Sequence, residues 1–155
     1  MTKEEPLIMD TSAVINGISG NLLKCRLIVP SSVIEELGDK PHRLNLDKVE
    51  ERNPKKHYLE EIEKQAEKTG DLLSKTDKDV LALAMQYKAS IATDDYGIQN
   101  IAKLLGIDFE PVGEEGIKEV FHWTYYCPAC YVEYEGPGTC EICGTKLKRK
   151  VKKKE

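Results

Sequence analysis

The sequence predicts an α/β fold, a parallel sheet with helices on both of its faces, followed by a small cysteine-rich module. Short apolar runs alternate with helical patterns as far as Val112. Beyond that point the chain turns to aromatics, Gly and Pro without helical periodicity, and four of its five cysteines fall between Cys127 and Cys143.

PLIM is a short apolar run suited to a buried parallel strand, and TSAVINGI after it reads as the start of a helix. CRLIVP is a second strand, with Cys25 as a small core residue. SSVIEELGD is a short helix, with Ser32 and Glu35 at capping-box spacing and Gly38 as its stop. From Asp39 to Pro54 the polar stretch, with its two prolines, predicts a loop or insertion that either gates the neighbouring acids or loops past them. KKHYLEEIEKQAEKTG is helical, because Tyr58, Ile62 and Ala66 recur at i, i+4 and Gly70 follows the last turn. SKTDKDVLALAMQYKA is a further helix, with Thr76 as N-cap, Asp79 at N3 and the apolar stripe Val80, Leu83, Ala84, Tyr87. SIAT makes a strand, DDYGIQNIAKLLG a helix ended by Gly106, and IDFEPV a last strand. This alternation is that of a parallel sheet with crossover helices.

Residues 1–112 are thus expected to form the α/β domain, 113–123 a connector, and 124–155 the cysteine-rich module with a basic tail. The chain's 155 residues can bury a real core and carry such an appendage. The polar opening MTKEEP, and the lack of an apolar run near ~18 residues, argue against a signal peptide or membrane span and predict a cytoplasmic protein. Net charge is −4, unevenly spread: from Trp123 onward seven Lys/Arg face four Asp/Glu, a balance of +3, which leaves −7 on residues 1–122. The basic run KLKRKVKKKE either gathers phosphate backbones or serves as a solubilising tail.

In an open parallel sheet, ligands bind beyond the carboxyl ends of the strands. Asp10 follows the first predicted strand, and Asp94 and Asp95 follow SIAT, so two strand ends bring acids to one edge. Asp77 stands in the first turn of its helix and Glu36 in the short helix after LIVP. Taken singly, each reads as a helix cap, a dipole partner or an exposed acid. Gathered together they repel unless a cation neutralises them, and a hard divalent ion, Mg²⁺ or Mn²⁺, suits oxygen ligands. His42, His57 and His122 stand at no spacing that suggests a base for a Ser or Cys nucleophile. A divalent ion held there could lower the pKa of a water to make a nucleophile.

Cys127, Cys130, Cys140 and Cys143 form two C-x-x-C hooks, the donor set of tetrahedral Zn²⁺. So short a module cannot build a sufficient core, and the metal is expected to supply its folding energy. Tyr125, Tyr126, Tyr131 and Tyr134 lie among the hooks, beside Lys146, Lys148, Arg149, Lys150, Lys152, Lys153 and Lys154. Aromatics next to cations either stack on unpaired RNA bases or cover the small zinc core.

IMDTSAVI, VPSSVIEEL, SKTDKDVLALA and IATDDYGI, in this order, resemble the motifs of the PIN-domain ribonucleases over about residues 6–112. The resemblance implies metal ligation and catalysis by Asp10, Glu36, Asp77 and one or both of Asp94 and Asp95, with Glu35 the competing choice for the second position. Ser12 and Thr93 match positions that support such sites by hydrogen bonds. A PIN-like domain with a zinc ribbon behind it resembles the Nob-type endonucleases of ribosome assembly in their short archaeal form. That implies cleavage at the 3′ end of precursor small-subunit rRNA, within an immature small subunit, leaving a 5′-phosphate and a 3′-hydroxyl. Two alternatives remain at this point: a toxin-type PIN ribonuclease, and a non-catalytic RNA-binding or scaffold protein of ribosome assembly.

Overall fold

The computed structural model describes residues 5–18, 20–113 and 121–154. Five strands form one parallel sheet: β1 Pro6–Met9, β2 Arg26–Val29, β3 Val49–Glu51, β4 Ser90–Ala92 and β5 Phe109–Glu110, in the order β3-β2-β1-β4-β5. β1 is central because PLIM is apolar throughout and can be buried on both faces, as Leu7, Ile8 and Met9 are. The helices are α1 Thr11–Asn16, α2 Ser31–Leu37, α3 Lys56–Thr69, α4 Lys75–Tyr87 and α5 Tyr96–Leu105. Strand order reverses direction at β1/β4, and parallel connections of this kind are as a rule right-handed. α1 packs on α2, α2 packs on α4 as well, and α3, α4 and α5 pack on one another. None of the described helices is long and apolar enough to cross a membrane.

Several local expectations shift. Within the stretch expected to be a loop, Val49–Glu51 pairs with β2 as an edge strand. Its one apolar residue gives no periodic signal, and what ties it down is backbone pairing plus Glu50, which bridges Arg26 at 2.6 Å and Arg52 at 3.0 Å. The capping box expected from Ser32 and Glu35 does not form, since α2 is preceded by Pro30 with no side-chain cap. Ser32 Oγ instead donates to Asp79 at 2.7 Å across the core. With Asp79 so engaged, α4 begins two residues earlier than expected, on a capping box of Ser74 and Asp77. Five consecutive residues of α4, Val80 to Ala84, are buried, because neighbours surround that helix on more than one side.

The C-terminal module is a three-stranded antiparallel sheet of β6 Phe121–Tyr126, β7 Glu133–Tyr134 and β8 Lys148–Lys154, with β6 in the centre. β6 starts inside the stretch expected as a connector, of which residues 114–120 lie outside the described residues. The basic run expected as a tail is β8, an edge strand paired with β6 along its length. Charged side chains suit such an edge, since they discourage pairing with another chain.

One hydrogen-bond cluster docks this module on the α/β body. The carboxylate of Asp71, just beyond α3, accepts from Thr69 Oγ1 at 2.6 Å, Asn100 Nδ2 at 2.7 Å and Trp123 Nε1 at 2.9 Å. Asn100 on α5 also donates to the carbonyl of Phe121 and accepts from its N–H. Gly70 has φ +78°, and a Cβ there would stand 2.5 Å from the Trp123 carbonyl oxygen, so only glycine admits β6 this closely. Asn100→Ala would strip partners from both Asp71 and the Phe121 backbone, at roughly 1–3 kcal/mol for each buried group left without one. The expected result is a melting temperature lower by several degrees, and an unchanged melt would mean that the cluster contributes nothing to docking.

Candidate active site and metal centre

At the carboxyl ends of β1 and β4 the chain passes straight into helices, and the residue at each junction is an acid. Asp10 is the N-cap of α1 and Asp95 the N-cap of α5, where its Oδ1 accepts from the Ile98 N–H at 3.0 Å. Asp77 accepts from the Ser74 N–H at 3.1 Å at the start of α4. Each acid therefore does cap its helix, as a local reading holds, and all three also line one cavity of about 370 Å³ together with Glu36 and Asp94. Glu35 is not among its lining residues.

Asp10 is 5% exposed and held from three sides. Its Oδ1 accepts from Ser12 Oγ at 2.7 Å and the Ala13 N–H at 2.9 Å, and its Oδ2 accepts from Thr93 Oγ1. Thr93 Oγ1 in turn accepts from the Asp95 N–H at 3.0 Å, so one buried hydroxyl couples the two strand ends. Burial pushes the Asp10 carboxyl above the usual carboxylate range, against the pull of these hydrogen bonds, and the Asp95 charge adds to the rise. Asp77 is likewise pushed up, first by burial, with the charges of Asp95 and Asp10 contributing. The charges of Asp10 and Asp95 thus both bear on Asp77, and that of Asp95 on Asp10. Asp94 lines the cavity too, but its carboxylate is engaged: it accepts from the N–H groups of Val112 at 2.7 Å and Gly113 at 2.8 Å.

This donor set fits a hard divalent cation. Its oxygens are those such ions prefer, and the mutual repulsion of its carboxylates is what a cation relieves. Thr11 Oγ1, in a residue lining the same cavity, is buried with no hydrogen-bond partner among the described residues. Thr11, Asn16 and Thr76 also line the cavity, and none of them is named as a site residue in the sequence reading. Asn16 had a signal, since it stands four residues after Ser12 and shares its face of an otherwise apolar helix.

The four cysteines of the loops that follow β6 bring their sulfurs within 4.8 Å of one another, and among the described residues they are the one such cluster close enough to hold a metal ion as it stands. The two hooks have the same backbone. Tyr131 N–H donates to the Cys127 carbonyl at 2.8 Å and Gly144 N–H to the Cys140 carbonyl at 2.9 Å, each from a left-handed residue, φ 63° and 74°. The Tyr134 hydroxyl and neighbouring amides pull the Cys140 thiol down to about 6, while the sulfurs of Cys143 and Cys127, with burial, push Cys130 up to about 12. Crowded thiols driven apart in this way are a natural donor set for a thiophilic cation.

Comparison with known proteins places the chain. Residues 7–87 match the family described as the PIN domain of ribonuclease, and the chain belongs to that family. It is 43% identical to ribonuclease VapC1 of Thermoplasma acidophilum, over 96% of this chain and 79% of the relative. It is 37% identical to endoribonuclease Nob1 of Methanocaldococcus jannaschii, over 94% of this chain and 78% of that one. With endoribonuclease Nob1 of Pyrococcus abyssi the identity is 35%, over 92% and 91% of the two chains.

Proposed function

We propose that this PIN-domain ribonuclease is a divalent-metal-dependent endonuclease. On this reading it hydrolyses a phosphodiester at the 3′ end of precursor small-subunit rRNA, in the cytoplasm and within an immature small subunit. The observation that carries the catalytic part is the single cavity that Asp10, Glu36, Asp77 and Asp95 line at the strand ends. The relatives named endoribonuclease Nob1 support the ribosomal part.

When bound, Mg²⁺ or Mn²⁺ supplies Lewis acidity, which lowers the pKa of water and offsets charge on the scissile phosphate. Asp10 is the fixed ligand, oriented by Ser12, Ala13 and Thr93 before any ion arrives. Asp77 and Asp95 complete the acidic wall, and Glu36, exposed on α2, reaches in from the rim. Lining the cavity favours Glu36 over Glu35. Asp94, with its carboxylate occupied by Val112 and Gly113, is better cast as the residue that shapes the 111–113 turn than as a ligand.

Zn²⁺ held by Cys127, Cys130, Cys140 and Cys143 keeps the ribbon folded. Its RNA-facing elements are β8 and Tyr131. Tyr125 is only 4% exposed and Tyr134 packs on Cys140, whereas Tyr131 is 77% exposed and so the tyrosine best placed to stack on a base. Arg149 lies 3.9 Å from the Trp123 ring centroid, and Lys150 bridges Glu133 at 2.9 Å, so both are held in place on the sheet. Lys146, Lys148 and Lys152, with Lys153 and Lys154, extend the basic set along and beside the strand.

The likeness to ribonuclease VapC1 favours one other reading, a toxin-type PIN ribonuclease with the same acids and a different RNA. The deciding experiment offers the protein a short RNA spanning the 3′ end of small-subunit rRNA and an unrelated RNA of equal length, with Mn²⁺, Mg²⁺ or EDTA. Discrete metal-dependent cutting of the first RNA alone is expected. Equal cutting of both would favour the toxin-type reading, and tight binding without cutting in either metal would favour the non-catalytic scaffold.

A further inference from the structure

A groove of about 1040 Å³ lies beside the acidic cavity and is not part of it. One wall comes from α1 and the residues after it, with Ile18, Leu22 and Leu23; the other comes from residues 41–48, with Arg43 and Lys48. The second wall is pinned: Arg43 N–H donates to the Ile15 carbonyl at 3.1 Å, Leu44 N–H to the Val14 carbonyl at 3.2 Å, and Leu44 is buried in the core. Gly17, at φ +81°, allows that approach, since a Cβ there would meet Arg43 Cβ at 3.1 Å.

Two features tie the groove to the acids. Asn16 lines both cavities, and the Pro111–Gly113 turn that closes the groove is the turn whose amides hold Asp94. Its charge is also out of keeping with its surroundings. Residues 1–122 carry −7, yet among the described residues the lining includes Arg43, Lys48 and His42 and no carboxylate. Apolar walls with cations at the rim, running into a site for phosphate chemistry, are complementary to unpaired nucleotides, whose bases want apolar contact and whose phosphates want positive charge. A volume at the upper end of the range for small-molecule sites leaves room for bases out of the stack.

We propose that this groove seats the single-stranded nucleotides next to the scissile phosphate, with their bases against Ile18, Leu22 and Leu23 and their phosphates toward Arg43 and Lys48. The proposal rests on the nuclease reading above and specifies the path of its substrate. It gives the 39–54 segment a fixed role as a wall rather than a moving gate. It also offers so acidic a body an approach for RNA, along a channel whose described lining carries cations and no carboxylate.

The test uses the full chain with Asp10→Asn, so that RNA binds without being cut, and a small-subunit 3′-end RNA carrying 4-thiouridine at successive positions. Photocrosslinks are expected in the peptides holding residues 15–23 and 41–48, from nucleotides on one side of the cleavage position. The double variant Arg43→Glu/Lys48→Glu should weaken RNA binding about tenfold or more. Lys64→Glu/Lys103→Glu, which changes net charge equally on exposed positions of α3 and α5, should weaken it far less. In the otherwise wild-type enzyme the groove variant should raise KM and spare kcat. Crosslinks confined to the ribbon, or equal weakening by the two double variants, would overturn the proposal and leave the apolar walls to a protein segment. Groove crosslinks to an RNA that the wild-type protein never cuts would instead keep the groove and sink the nuclease reading.

Discussion

Asp10→Asn is expected to reduce RNA cleavage by more than ~100-fold while leaving RNA binding and folding nearly unchanged. Removing a partner that merely orients a metal ligand costs typically ~10–100-fold, so loss of the ligand itself should exceed that range. Folding should survive because the buried carboxylate already stands at a cost, its charge pushed out of water beside Asp95. Asparagine keeps the shape and relieves the charge. Its carbonyl can still accept from Ser12 and the Ala13 N–H, and its amide can donate to Thr93 if that hydroxyl turns. The melting temperature should therefore stay within about 4 °C of wild type, roughly 1 kcal/mol. A variant that still cuts at near the wild-type rate would remove Asp10 from the chemistry, and one that fails to fold would make the loss uninformative. Thr93→Ala guards against that second outcome. It removes only the hydroxyl linking Asp10 to the Asp95 amide, and should cost ~10–100-fold with Asp10 present.

The two glutamates of α2 give a sharper contrast. Glu36 lines the acidic cavity and Glu35 does not, although both are exposed on the same short helix. Glu36→Gln should therefore slow cleavage strongly and Glu35→Gln hardly at all. Equal effects would mean that α2 contributes only its general charge.

The strands PLIM and SIAT and the acids after them were legible in the sequence because a buried parallel strand is a continuous apolar run, and its carboxyl end is where the next helix must be capped. Other elements are fixed by partners distant along the chain. The α4 cap is the clearest case: Ser74–Asp77 and Thr76–Asp79 satisfy the same spacing rule, and the choice falls to the first pair because Asp79 is taken by Ser32, forty-seven residues away. VEE and KRKVKKK carry almost no apolar pattern. They become strands because β2 and β6 present them with open backbone edges, with Glu50 between two arginines and Arg149 over Trp123 adding side-chain contacts. The site divides in the same way. Its acids, and the supporting Ser12 and Thr93, stand at element ends and could be found there, whereas the groove arises from segments that meet only when folded.

Cys127→Ser is expected to unfold the ribbon while leaving the nuclease body intact. The described ribbon buries little beyond Thr124, Tyr125, Cys127 and Cys140, so its interior is largely the metal-binding sulfurs themselves. A small module of this kind draws its stability from the metal, and structural zinc in comparable peptides supplies an apparent ~10–16 kcal/mol. Loss of one thiolate should therefore abolish stoichiometric zinc and the amide protection of β6 and β8. Protection at Ile8, Leu81 and Ile91, fully buried in the α/β core, should persist. The docking cluster sharpens the expectation, because Trp123 and Phe121 bind the body through Asp71 and Asn100 at the start of β6. Residues 121–123 should keep part of their protection when the rest of the sheet has lost it. RNA binding should fall along with the ribbon, since β8 is then no longer a strand that aligns its cations. Cleavage of a short RNA already seated at the acids should fall less than its affinity. A Cys127→Ser protein that retained zinc and full protection across β6 and β8 would show that the sulfurs do not hold the module together. The stability of the ribbon would then have to come from its docking on Asp71 and Asn100.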